Sequence, residues 1–276
     1  NRASVTVWVS ILAAMIGAFM AILNIQITNA SLLNIEGGIG TGVDNGSWIS
    51  TSYLIGEIVV IPLTDYLSRV FSFRKIMITF ATLFAAFSVA CTFTHDLPSM
   101  IAMRGLQGFF GGVLIPMAFT LVFTKLPKVQ QPIGLAMFAL AVTFAPAIGP
   151  TLSGFIVDHW SWRVLFVMML PITLGALVFA HLTLRNVTEQ TDPRLDMPSL
   201  ILSTFGFGGL LFGFSTAGTS GWASAQVIAP LAVGVVALAV FLALAGSAGL
   251  VMLLESLSQR VRGVDALASV LGRRVL

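Results

Sequence analysis

The sequence predicts an all-α integral membrane protein, and two observations lead to that fold class. Only 9% of the 276 residues are charged and 57% are hydrophobic, whereas a soluble domain carries roughly 25% charged residues to hydrate its surface. Eight apolar stretches also reach the length of about 20 residues that a helix needs to cross a bilayer. They lie near 5–34, 48–68, 76–94, 99–124, 133–157, 164–184, 199–219 and 227–246. A water-soluble domain is excluded.

The basic residues predict how these helices are oriented. With the N-terminus in the cytoplasm, twelve of the fourteen lysines and arginines fall on the cytoplasmic side. Arg163 falls outside and Arg104 lies within the fourth stretch. Such a bias is typical of cytoplasmic loops. We therefore predict a multi-pass protein with a cytoplasmic N-terminus, in contact with membrane lipid, and its net charge of +3 reports this topology instead of nucleic-acid binding.

Four polar side chains within the predicted spans are the candidate functional residues. They are Asn24 in the first stretch, Glu57 in the second, and Arg104 and Gln107 in the fourth. Each is costly to insert, at about 2.5–3.5 kcal/mol for a charge, so such residues usually serve a function. Their estimated depths in the membrane allow the Glu57 carboxyl group, the Arg104 guanidinium and an amide side chain to meet at one buried site. The alternative is that Arg104 extends outward to the interface and Glu57 is a neutral, hydrogen-bonded acid.

Glycine and proline form a second pattern, in the fourth and fifth stretches. Gly108 begins a small-residue face that continues to Gly112, and another runs from Gly149 to Gly154. Such faces let helix backbones approach closely. Pro116, Pro146 and Pro150 are expected to interrupt their helices and free backbone carbonyl groups. These breaks suit helices that bend during transport, although static packing explains any single position equally well.

Metal and enzyme chemistry find little support in the sequence. Cys91 is the single cysteine, and the three histidines are scattered, so we expect no metal site. The sequence contains no nucleophile–base pair and no phosphate-binding loop, so we expect no cofactor and no enzymatic activity.

Several motifs in chain order resemble one transporter family. Arg104-Gly-Leu-Gln107-Gly108 is similar to the R-x-x-Q-G motif of helix 4 in drug:proton antiporters of the major facilitator superfamily. The segment from Ala145 through Pro146, Gly149 and Pro150 to Gly154 resembles their helix 5 antiporter motif, G-x-x-x-G-P-x-x-G-G. The segment 23–29 resembles the helix 1 motif L-D-x-x-I-x-N of the fourteen-helix EmrB/QacA type.

The resemblance implies a fold and a division of the chain. Residues 1–185 correspond to the N-terminal six-helix bundle, 186–198 to a cytoplasmic linker and 199–246 to two additional transmembrane helices. The second bundle of the family is absent from these 276 residues. The remaining segment, 247–276, has apolar residues spaced four and three apart from Leu250 to Val275, which predicts an amphipathic helix of unknown role.

The resemblance also implies a function. It indicates a proton-coupled multidrug exporter of the bacterial inner membrane, whose partners are protons, hydrophobic or cationic compounds and, in some arrangements, a periplasmic adaptor protein and an outer-membrane channel. Glu57 is the expected proton carrier, with Arg104 favouring its ionised form. The alternative is a half-transporter or membrane scaffold that does not transport by itself and requires a partner chain, because alternating access needs two bundles.

Two departures from the family pattern affect these expectations. Asn24 stands where the helix 1 motif has Asp, so the carboxylate expected there is missing. The loop motif between helices 2 and 3 is degraded, with Ser72 in place of a glycine, and only its basic end, Arg74 and Lys75, is well preserved. The conformational role of that loop therefore rests on Arg74 and Lys75.

Overall fold

A computed structural model describes residues 3–42, 45–184, 196–244 and 246–247. Every regular element in these ranges is an α-helix, which confirms the all-α fold class. The helices are α1 (Val5–Ala30), α2 (Leu32–Ile39), α3 (Ser47–Val60), α4 (Leu63–Phe71), α5 (Phe73–Thr92), α6 (Leu97–Gly111), α7 (Leu114–Lys125), α8 (Gln131–His159), α9 (Val164–Val167), α10 (Leu170–Thr183), α11 (Met197–Ser220) and α12 (Ala225–Leu244).

Within the described ranges, seven helical segments are long and apolar enough to cross a membrane. Four of them are the single helices α1, α5, α8 and α11, and α12 is the fifth. The other two are formed by consecutive helices, α6 with α7 (Leu97–Lys125) and α9 with α10 (Val164–Thr183). These segments correspond to seven of the eight predicted stretches.

The eighth predicted stretch, near 48–68, is divided between α3 and α4. Pro62 lies at the junction, and proline has no N–H to continue the helical hydrogen-bond ladder. α3 has 14 residues and α4 has nine. At 1.5 Å per residue α3 extends only about 21 Å, so it is too short to cross a hydrocarbon core of about 30 Å by itself.

The expected interruption at prolines is right for one helix and wrong for another. α6 ends at Gly111 and α7 begins at Leu114, just before Pro116. In contrast, α8 continues through both Pro146 and Pro150. Each of these prolines removes one intrahelical hydrogen bond, and both are on exposed positions of α8, so the remaining bonds carry the helix past them.

α1 is the central helix of the described bundle. It packs against α7, α8 and α10 and also touches α3, α6 and α9. Its buried residues contribute to both apolar clusters, Ile11 and Ala14 to one and Met20 and Ile27 to the other. Polar atoms that α1 buries therefore meet several other helices.

Helix α11 lies beside α3, and α12 packs on α11, where a Cβ atom on Gly209 would be 2.7 Å from the Pro230 carbonyl oxygen. The rings of Trp48 and Phe212 meet edge to face with centroids 4.9 Å apart, and the hydroxyl groups of Thr51 and Ser215 are 2.6 Å apart. The division of the chain at 185, 198 and 246 stays a prediction. Residues 186–195 of the predicted linker and 248–276 of the predicted amphipathic tail lie outside the described residues.

Candidate functional site

Arg104 is held in the interior of the bundle by a helix with a well-formed start. The Asp96 side chain accepts a hydrogen bond from the Ser99 backbone N–H and caps α6, and Pro98 occupies its first turn. The buried face of α6 then carries Arg104, Gln107, Gly108 and Gly111, which are positions i, i+3, i+4 and i+7 of the helix. Arg104 is 0% exposed, so the alternative in which it extends to the membrane interface does not hold in this structure.

The guanidinium of Arg104 joins two of the other predicted site residues. Its Nη1 donates to Asn24 Oδ1 at 2.5 Å and to Gln107 Oε1 at 2.7 Å, and its Nε donates to the backbone carbonyl of Ile49 at 3.4 Å. Hydrogen bonds from a charged donor are roughly twice as strong as neutral ones. The structure therefore brings together Asn24 of α1, Arg104 and Gln107 of α6, and the backbone of α3.

Two aromatic rings complete the surroundings of the guanidinium. Arg104 Cζ lies 4.3 Å from the centroid of the Tyr53 ring and 5.8 Å from that of Phe166. A cation over an aromatic face gains about 2 kcal/mol or more when water is excluded. Neither ring was predicted from the sequence, although Tyr53 precedes Glu57 by one helical turn and could have been found by that spacing.

A further side chain, Ser88 of α5, orients Gln107. Gln107 Nε2 donates to Ser88 Oγ at 3.1 Å, and Ser88 Oγ donates to the Phe166 backbone carbonyl at 2.7 Å. This arrangement turns the amide oxygen of Gln107 toward Arg104. Ser88 was also missed, because a single small hydroxyl in an apolar helix carries no distinctive sequence signal.

Glu57 lies apart from this cluster. A Cβ atom on Gly112 would be 2.9 Å from both Cα and Cγ of Glu57, and Gly112 follows Arg104 by two helical turns, roughly 12 Å. Among the described residues the ion pair that forms joins Arg69 to Asp65, at 3.0 Å, and Glu57 makes none with Arg104. Glu57 is 9% exposed. The predicted buried site thus contains the Arg104 guanidinium and the amides of Asn24 and Gln107, but not the Glu57 carboxyl group.

Glycines bring α3 and α6 into close contact beside the cluster. A Cβ atom on Gly108 would be 2.0 Å from the Tyr53 carbonyl oxygen, and one on Gly56 would be 2.2 Å from the Gly105 carbonyl oxygen. Real side chains cannot approach backbone atoms so closely. This seam, formed by Gly56, Gly105, Gly108 and Gly112, sets the position of Tyr53 over Arg104.

The motif on α8 contacts α1 at some positions and leaves others open. A Cβ atom on Gly149 would be 2.6 Å from Gln26 Cβ, whereas one on Gly154 would meet nothing within 4 Å. Ser153, which replaces a glycine of the family motif, donates to the Ile27 carbonyl at 2.7 Å and is also hydrogen-bonded to the Ser31 hydroxyl. A polar link thus fastens this half of α8 to α1.

Arg74 and Lys75 lie in the first turn of α5, far along the chain from the cluster. Arg74 Nη2 donates to the backbone carbonyl of His181 near the end of α10, at 2.7 Å. The Lys75 N–H donates to Ser72 Oγ, and Ser72 has φ 82°. A side chain rarely adopts this backbone conformation, which explains why the family motif has a glycine there.

The described residues define a multi-pass helical membrane protein with a charged, hydrogen-bonded cluster among its helices. Residues 14–273 match the Major Facilitator Superfamily domain. The chain belongs to the major facilitator superfamily. This membership points to a transporter and not to an enzyme.

Curated relatives include named resistance proteins. The chain is 38% identical over 226 residues to the uncharacterized MFS-type transporter YcnB of Bacillus subtilis, covering 82% of this chain and 48% of that protein. It is 34% identical to the lincomycin resistance protein LmrB of Bacillus subtilis, over 83% of this chain and 48% of that protein. It is 31% identical to the multidrug export protein EmrB of Escherichia coli, over 84% and 45%. The chain spans about half the length of these relatives.

Solved structures share the fold at low sequence identity. The proton:xylose symporter XylE aligns with a TM-score of 0.58 at 14% identity, covering 85% of this chain and 51% of that chain. The human organic anion transporter MFSD10 aligns with a TM-score of 0.57 at 13% identity, covering 76% and 56%. These similarities concern the fold alone.

Proposed function

We propose that this chain is part of a proton-coupled multidrug exporter of the bacterial inner membrane, which exchanges protons for hydrophobic or cationic compounds. The observation that carries the proposal is a carboxyl group, Glu57, which packs on Gly112 at the seam between α3 and α6 and lies one helical turn after Tyr53, whose ring covers Arg104. An ionisable group there is expensive and is usually functional. The resistance and export proteins among the relatives support the same class.

Glu57 is proposed to carry the coupled proton. It lies on α3 and packs on Gly112, in the junction between α6 and α7. A change in the angle between α6 and α7 would therefore alter the surroundings of its carboxyl group. Asn24 cannot take this role because an amide does not titrate. Protonation neutralises Glu57, and loss of the proton leaves a negative charge that a cationic compound could match.

Replacing Glu57 by glutamine tests this proposal. We expect Glu57→Gln to abolish pH-driven transport of ethidium, a hydrophobic cation, while ethidium binding changes little, because only the titration is removed. Transport is measured in inverted membrane vesicles that contain the full-length gene product. The control is Asp65→Asn, which removes a carboxylate whose side chain is 73% exposed. Undiminished proton-coupled transport by Glu57→Gln would refute the assignment.

The cytoplasmic N-terminus is also proposed, and cysteine labelling tests it. In a Cys91→Ala background, cysteines at Ser161 and Ala223 should react with an impermeant maleimide added to intact cells. Cysteines at Lys128 and Val129 should react only after the membrane is opened. All four positions are exposed, so access alone decides the result. Labelling of Val129 in intact cells would contradict the twelve-to-one charge bias on which the orientation rests.

In a bacterium with an outer membrane, export to the medium would also need a periplasmic adaptor protein and an outer-membrane channel. Co-purification of such proteins with the full-length gene product after cross-linking tests this part of the proposal.

A further inference from the structure

Two nitrogen atoms of the Arg104 cluster have no hydrogen-bond partner among the described residues. They are Arg104 Nη2 and Asn24 Nδ2. Both side chains are 0% exposed. Arg104 Nη1 donates to the oxygen of the same Asn24 amide. The two nitrogen atoms without partners therefore belong to side chains that are hydrogen-bonded to each other. A buried polar atom without a partner is destabilising, and more so when it belongs to a charged group.

The hydrogen bonds fix what kind of partner these atoms need. A guanidinium only donates, so Asn24 must turn its oxygen toward Arg104 and its NH₂ group away. Gln107 does not supply an acceptor to Nη2, since Ser88 holds its NH₂ group and its oxygen already accepts from both Arg104 Nη1 and the Cys91 thiol. Both open atoms are therefore donors, and the group that would satisfy them is an acceptor.

The charge balance favours an acceptor that is negative. Arginine is effectively always protonated, and its partners in the described residues are two amide oxygens, one backbone carbonyl and two aromatic rings. None of these carries a formal negative charge, and Glu57 makes no ion pair with Arg104 within the described part of the chain. Buried charges are usually paired. A water molecule would supply an acceptor but not the charge.

We propose that Arg104 and Asn24 form a binding site for a carboxylate group, or for another planar oxyanion. Arg104 Nη2 offers the N–H donors of a charged group to a carboxylate oxygen, and the Asn24 NH₂ group adds a further donor. The rings of Tyr53 and Phe166 flank the guanidinium and suit an acid with an apolar body. The carboxylate is supplied either by a transported compound, which rests on the proposed export function, or by a free small acid.

Asn24 is the reason that the described part of the chain supplies no negative charge to Arg104 at this site. A carboxylate at position 24 would provide both an acceptor and a negative charge to Arg104 from within the chain. The amide provides the acceptor alone and leaves the charge unpaired. Asn24→Asp should therefore fill the site internally and repel an acidic ligand.

Thermal unfolding of the detergent-purified full-length gene product tests the site with benzoate and its neutral isostere benzamide. We expect benzoate to stabilise the wild-type protein and benzamide to have no comparable effect. Asn24→Asp should bind benzoate at least about tenfold more weakly. The matched control is Asn29→Asp, which places the same charge on an exposed residue of α1 and should keep the benzoate response.

Acetate and acetamide form the second arm and distinguish the two sources of the carboxylate. Stabilisation by acetate equal to that by benzoate assigns the site to a free small acid, and a much stronger effect of benzoate assigns it to the acidic group of a hydrophobic compound. Equal stabilisation by benzoate and benzamide, or an unchanged benzoate response in Asn24→Asp, overturns the proposal. These measurements need no transport, so the absence of proton-coupled transport in the wild-type protein would refute the proposed function and leave this result intact.

Discussion

Replacing Arg104 by alanine is expected to destabilise the protein by about 2–5 kcal/mol and to abolish transport. The change removes the donor of three hydrogen bonds. It leaves the Asn24 oxygen unpaired in the interior and the Gln107 oxygen with only the weak thiol donor of Cys91. It also opens a cavity between Tyr53 and Phe166, and loss of large buried side chains typically costs 2–5 kcal/mol. Thermal and denaturant unfolding in detergent measure the effect.

Two further variants make this result specific. Arg104→Lys should recover only part of the stability, because lysine keeps the charge but lacks the planar fork that reaches several acceptors at once. Arg69→Ala removes an arginine from an exposed ion pair, with side chains 46% and 73% exposed, and should change stability by less than about 1 kcal/mol. If Arg104→Ala unfolds at the same temperature as Arg69→Ala, the buried cluster does not stabilise the bundle.

The second large effect is expected at Gly108, where alanine should separate α3 from α6. The new Cβ atom would be 2.0 Å from the Tyr53 carbonyl oxygen. Because the obstacle is backbone, relief requires a shift of a whole helix, and overpacking of this kind costs about 1–3 kcal/mol or more. The shift would also move Tyr53 off Arg104, so transport should fall with stability.

Gly154→Ala is the matched control for Gly108→Ala. Gly154 belongs to the helix 5 motif, yet a Cβ atom there meets nothing within 4 Å. Alanine should therefore be tolerated and could gain up to about 1 kcal/mol from its higher helix propensity. Unfolding temperatures of the two variants decide the matter, and similar values for both would contradict the close α3–α6 seam.

The sequence alone determined that the protein is an integral membrane protein, where most of its spans lie and which polar residues are candidates for function. Hydropathy and length are local properties of a segment, so the spans near 5–34 and 133–157 correspond to α1 and α8 with shifts of a few residues. Gln107 could be associated with Arg104 because a three-residue separation places both on one helix face. The family motifs were equally local, and the match of residues 14–273 to the Major Facilitator Superfamily confirms the superfamily that they indicated.

Only the tertiary structure decided which polar groups meet. Contact between helices depends on the rotation and depth of each helix, and hydropathy fixes neither of them to within one turn. The glycine seam sets α3 against α6 so that Tyr53, and not Glu57, covers the guanidinium. α1 presents Asn24 to Arg104, and Ser88 on α5 turns Gln107 toward it. A difference of one helical turn, about 5.4 Å along the axis, exceeds the reach of a hydrogen bond, so the membership of the site was settled by packing.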